Sequence, residues 1–222
     1  MKKSQQSGFT LVEIAIVLVI IGLLLGGILK GQELINSAKV KSLANDFRTI
    51  PTYIYAYQDK FKALPGDDTV ATAHVAGAAN ATTPSAKQGN GVLDGNWYSG
   101  TATDESYLFW QHVRLSNLAP GPTAVTDPDY WPKNAMGGVI GINSAPAAAV
   151  QITGMTGTYQ ICSTGILGKY VKQLDIQMDD GNTETGSMRA TANVTSTTLA
   201  QSAAIPTATI DDATSYTVCQ TF

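Results

Sequence analysis

From Phe9 to Leu29 the sequence reads FTLVEIAIVLVIIGLLLGGIL, and its only polar side chains are Thr10 and Glu13. At about 1.5 Å of rise per residue this run spans roughly 30 Å as a helix, the thickness of a bilayer's hydrocarbon core. A helix also satisfies every backbone N–H and C=O internally, which lipid demands. Lys2 and Lys3 precede the run and favour a cytoplasmic N-terminus, which sends the residues after Lys30 outward. A secretory signal would have a shorter apolar core, and Gly26-Gly27-Ile28-Leu29-Lys30-Gly31 is a poor small-x-small cleavage site. A membrane-spanning anchor fits better.

Glu13 is what a plain anchor leaves unexplained. A carboxylate inside an apolar run needs a partner, yet no Lys, Arg or His lies between Phe9 and Leu29. The expectation is a partner from another chain or from newly made chemistry, with snorkelling to the headgroups as the plainer alternative. Gly22/Gly26 and Gly27/Gly31 have small-xxx-small spacing, which suits close helix packing. The same glycines lower helix propensity, so this segment is also one that can unwind.

The string Gly8-Phe9-Thr10-Leu11-Val12-Glu13 resembles the processing site of type IV prepilins and type II secretion pseudopilins. That resemblance implies a leader peptide at 1–8, cut between Gly8 and Phe9 by a membrane-embedded prepilin peptidase that then N-methylates Phe9. It implies that Glu13 meets the new Phe9 amine of a neighbouring subunit, so that Phe9 and Glu13 set the register of assembly. The partners it implies are the peptidase/N-methyltransferase, identical or related subunits in a helical filament, an inner-membrane assembly platform, and inner-membrane lipid before assembly. The location implied is a single pass of the bacterial inner membrane, then an extracellular pilus or a periplasmic pseudopilus. Many such chains carry a proline near the glycines; this one has Leu29-Lys30-Gly31 instead.

Past Lys30 the apolar spacing of three or four continues through Leu34, Ile35, Ala38, Leu43, Phe47, Ile50, Ile54, Tyr57 and Phe61. This predicts one long N-terminal helix over 9–64, with a transmembrane segment at 9–29 and an amphipathic half beyond it. Pro51 should kink it. Leu64-Pro65-Gly66-Asp67-Asp68 marks its end, and 65–222 is read as an extracytoplasmic globular head. Within the head, 104–118 and 165–178 have helical spacing. The runs 138–142, 148–152, 159–162 and 216–219 read as strands, and 71–83 as a loop. The fold class is therefore α+β, a long helix packed on an antiparallel-sheet head.

Composition narrows function by exclusion. Only 14% of the 222 residues are charged and the net charge is −3, which leaves no basic surplus for a large nucleic-acid footprint. The nine Lys/Arg and six Asp/Glu of residues 1–87 give way to five and eleven in 88–222, so the two ends face different surroundings. Two histidines, His74 and His112, and two cysteines leave few catalytic constellations, and no enzyme activity is expected. In an exported head, Cys162 and Cys219 favour a disulfide over two separate buried thiols, comparable to the bridge of type IV pilins. No metal site is expected. Asp67-Asp68, Asn90/Asp94/Asn96 and 179–184 offer oxygens of the kind calcium takes, but at turn-like spacing. The reading is a structural subunit of a pilus-like filament. Its alternatives are a type II secretion pseudopilin, a minor tip pilin acting in adhesion or DNA uptake, and a monomeric anchored protein.

Overall fold

A computed structural model describes residues 8, 10–146, 149, 151–197 and 200–222. The chain divides into two compact units, Met1–Ala38 and Lys39–Phe222, with the boundary inside one helix, α1 (Leu11–Phe61). The helix is continuous through Pro51, as the apolar spacing predicts for its length.

In the first unit the side chains of α1 are exposed, including Leu11, Val12, Ile14, Ile16, Leu23, Leu24, Leu25 and Leu29. In the second unit α1 turns amphipathic. Val40, Leu43, Ala44, Phe47, Ile50, Ile54 and Tyr57 are buried as one stripe, and the charged Lys41 and Arg48 stay outside it. The chain leaves α1 through Lys62 in a left-handed conformation (φ 56°).

A short helix, α2 (Ala71–His74), interrupts the stretch read as a loop. Helix α3 (Glu105–Leu115) falls where its spacing predicts, but it is buried on every side from Glu105 to Arg114. Four strands make one antiparallel sheet, β1 (Ile140–Ser144), β2 (Tyr159–Leu167), β3 (Met188–Ala192) and β4 (Ser215–Thr221), in the order β1-β2-β4-β3. Helix α4 (Gly168–Met178) follows β2 directly. The core joins the buried stripe of α1 to Phe109, Ile142, Ile161, Tyr170, Leu174 and Val218.

Helix α4 lies within the helix-like stretch read at 165–178, and it begins at Gly168 because β2, irregular between Ser163 and Ile166, runs on to Leu167 as a strand. Gly165 lies inside that strand at φ 71°, where a glycine is at ease. Strand β3 was not expected, since its MRATA sequence has small residues where a strand core would have branched ones. Of the strand expected at 148–152, Ala148 and Val150 lie outside the described residues, and Ile152 makes one isolated bridge to Ser202.

Both margins of the sheet are bonded by the chain's own loops. Outside β1, the N–H groups of Ile140 and Ser144 donate to the carbonyls of Pro132 and Leu93, each at 2.9 Å. A Cβ at Gly141 would collide with the Trp97 carbonyl, so glycine permits the 93–97 segment to lie against this strand. Outside β3, Ala190 donates to Thr183 and accepts from Ile205, at 3.0 and 2.9 Å.

Candidate processing and assembly site

The site begins where α1 begins. The Thr10 N–H and Thr10 Oγ1 both donate to Glu13 Oε2, at 2.8 and 2.7 Å, and the Glu13 N–H donates back to Thr10 Oγ1 at 3.3 Å. This is a reciprocal capping box, in which Thr10 caps the first turn and Glu13 satisfies the cap's own N–H. Thr10 is neutral, so the box orients the Glu13 carboxylate and supplies no counter-charge. Among the described residues both bonds to the carboxylate fall on Oε2. The T-x-x-E spacing that signals the box is legible in the sequence.

Gly8 is exposed. Phe9 and residues 1–7 of the expected leader lie outside the described residues. Among the described residues, one helix is long and apolar enough to cross a membrane, and its most apolar window is entirely unburied. Gly22, Gly26, Gly27 and Gly31 are all helical, and a Cβ added at any of them would meet nothing within 4 Å. Each leaves a shallow place on the helix surface where another helix can approach closely.

A family model described as the prokaryotic N-terminal methylation motif matches residues 3–29. The chain carries the signature of type IV pilins and pseudopilins. The match covers the segment from Lys3 through the apolar run, and it supports a pilin-like or pseudopilin subunit, a structural class and not a catalytic one. It also implies processing by prepilin peptidase, assembly with other pilin subunits and membrane anchoring beforehand. No curated protein and no solved structure matches the chain significantly.

Away from this pilin-type segment, the candidate residues of the head serve the fold. Cys162 and Cys219 are joined and sit directly opposite each other on β2 and β4, packed with Trp97, Ile152 and Met155. Asp67 accepts from the backbone N–H groups of Gly89 and Gly91. Asp68, almost wholly buried, accepts from the Tyr57 hydroxyl at 2.8 Å and from His74 Nδ1 at 2.7 Å. Asn90 donates to Asp94, and Asp180 ties down Asn182 and Thr185. Turn chemistry thus occupies these oxygens. Among the described residues no three His, Cys, Asp or Glu side chains come together as a metal site.

His112 is fully buried, with Nδ1 accepting from the Gly66 N–H at 2.9 Å and Nε2 lying 2.7 Å from the Ala79 carbonyl. That pattern requires a neutral ring protonated on Nε2, and burial lowers its pKa in agreement. Three charged groups escaped sequence reasoning because nothing in local spacing marks them as interior. Glu105 is fully buried and one of its oxygens lacks a partner. Arg114 spans the carbonyls of Pro120, Pro122 and Tyr130. Asp46, on α1, has a buried Oδ2 without a hydrogen-bond partner among the described residues.

Proposed function

We propose that the chain is a structural subunit of a type IV pilus-like filament, cut between Gly8 and Phe9, N-methylated at Phe9 and assembled through its N-terminal helix. Domain limits of 1–8 for the leader, 9–64 for the helix and 65–222 for the head go with this reading. The carrying observation is the methylation motif over 3–29, whose apolar run is helical from Leu11 onward and is not buried by its own chain.

The proposed chemistry uses both oxygens of Glu13. Thr10 holds Oε2 at the helix start, and the cationic amine released on Phe9 of a neighbouring copy meets Oε1. In lipid such a charge-assisted pair is strong and a missing partner is costly, so the contact selects one axial offset between helices. Pooled subunits leave the bilayer as their apolar helices bundle together, and the heads form the outer surface.

The test is electron microscopy of sheared surface material, with mass spectrometry of its subunits. Filaments built from chains that start at N-methyl-Phe9 are expected. A Glu13→Ala chain should still be cut and methylated but yield no regular filaments. Regular filaments from that variant, or filaments of chains retaining residues 1–8, would sink the proposal. Filaments that stay in the periplasm would identify the pseudopilin form of the same chemistry.

A further inference from the structure

A groove of about 290 Å³ opens between α1 and α3 in the head, walled by Asp46, Tyr53, Trp110, Pro120, Pro132 and Ile140. Asp46 borders it, and its Oδ2 is buried with no hydrogen-bond partner among the described residues. A carboxylate oxygen held against apolar walls with nothing to accept is costly, and burial pushes the Asp46 carboxyl up to about 6. The cations nearby are already engaged. Lys133, which also borders the groove, pairs with Asp129, and Arg114 is held by three carbonyls while lying 5.6 Å from the Trp110 ring centroid. The groove is therefore open to a cation that comes from outside this chain.

The chain displays a suitable one. Arg48 is exposed on α1, and its guanidinium has no ion pair or hydrogen bond among the described residues. Two residues of α-helix turn through about 200°, so Asp46 and Arg48 project from nearly opposite sides of α1 at almost the same height. We infer that the Asp46 groove receives the Arg48 guanidinium of a neighbouring copy, joining adjacent heads side by side. A guanidinium suits the space better than an ammonium, because its plane stacks on Tyr53 and Trp110 while its edge donates to a carboxylate. Trp110 Nε1, also buried and unpartnered, is a donor in need of an acceptor. Thr52, one turn beyond Arg48 on the same face, sends its hydroxyl proton to the Thr49 carbonyl at 2.6 Å, which leaves its oxygen able to accept. Donor and acceptor patches on opposite sides of one element form a heterologous contact, the kind that propagates into an open helical array instead of closing into a dimer.

This inference rests on the filament reading for bringing copies side by side, and the experiment separates the two. In cells that assemble the full chain, Asp46→Asn, Asp46→Arg and Arg48→Asp should each lower sheared-filament yield at least tenfold with cleavage unchanged, while the Asp46→Asn head, relieved of a buried carboxylate, melts no lower than the parent. The double variant Asp46→Arg with Arg48→Asp should return to within threefold of the parent. Single variants that assemble normally, or a charge-swapped double no better than the singles, would overturn the contact. A second measurement does not need filaments. Chains carrying Asp46→Cys and Arg48→Cys are made together in one membrane and treated with a short bis-maleimide, the two native cysteines being already joined to each other. Cross-linked dimers should arise from the mixture and not from either chain alone; a mixture that gives none would refute the pair even where the parent forms filaments. Cross-linking in a parent that forms no filaments would keep the contact and discard the filament reading.

Discussion

Thr10 and Glu13 exchange three hydrogen bonds across the first turn of α1, and two of them depend on the Thr10 hydroxyl. The acid at this position is thereby oriented by its own chain before any neighbour arrives. Thr10→Ala keeps the bond from the Thr10 N–H and loses the other two. Amide exchange at Leu11 to Glu13 should rise about fivefold in detergent micelles, the scale of a lost N-cap. Thr10→Ser should exchange like the parent. Equal exchange in the parent and the alanine variant would mean that the cap contributes nothing to order at the helix start.

Cys162 and Cys219 lie 57 positions apart in sequence and face each other across β2 and β4. A cross-link closing a loop of that length stabilises by about 4 kcal/mol in the chain-entropy account. Replacing both cysteines by serine should remove most of that from the head. Urea unfolding of the full chain in detergent checks it, with a lower midpoint and an unchanged first unit as the expected result.

The buried carboxyls give the head an uncommon pH dependence. Burial, with Asp67 and Asp94 close by, pushes Glu105 up to about 8, and burial pushes Asp46 and Asp175 up to about 6. Each raised group contributes stability that is whole below its unfolded pKa and is lost as pH climbs through its folded value. Asp68 and His112 work the other way: hydrogen bonds from His74 and Tyr57 hold Asp68 below the ordinary value against its burial, and burial lowers His112, so both contributions are lost in acid. Above them, the three raised carboxyls set the slope between pH 6 and pH 8. The melting temperature of the head should therefore fall over that interval, and Glu105→Gln should flatten the fall between pH 6 and pH 8. A profile that rises from pH 6 to pH 8 would contradict the assignment.

Arg114 fastens the 118–133 segment by donating to the carbonyls of Pro120, Pro122 and Tyr130, at 3.2, 2.9 and 2.6 Å. Its guanidinium also lies 5.1 Å from the Tyr130 ring centroid. Arg114→Ala strands those carbonyls and should destabilise the head by about 3 kcal/mol or more. Arg114→Lys keeps the charge without the planar fork and should recover only part of the loss. Chemical denaturation of both variants measures the difference.

The parts of this fold that the sequence displays are those with a strong period or a strict chemical demand. The apolar run after Phe9 and the stripe from Val40 to Tyr57 announce α1, because burial on one face repeats with the helix turn. The two cysteines leave a single pairing. Strand β3 is silent in sequence because Met188, Ala190 and Ala192 take their place from the neighbouring β4 and the loops outside, not from their own branching. Glu105 looks like a surface acid at a helix start, yet the Asp94 N–H and the packing of α3 draw it inside. Asp46 flanks the stripe of Leu43, Phe47 and Ile50 on α1, where the polar border of a helix ordinarily meets water. Its isolation depends on Trp110 and the prolines of a distant loop, which no local pattern reveals.

The loops that bond Ile140, Ser144 and Ala190 have a consequence for the crowded array proposed for this chain. Bare strand margins at such density invite intermolecular cross-β stacking, which is nearly irreversible. Here the main-chain groups of Ile140, Ser144 and Ala190 are already bonded within the chain. These strand margins therefore offer a neighbouring head little to stack on, and crowding does not by itself set the heads into a fused sheet.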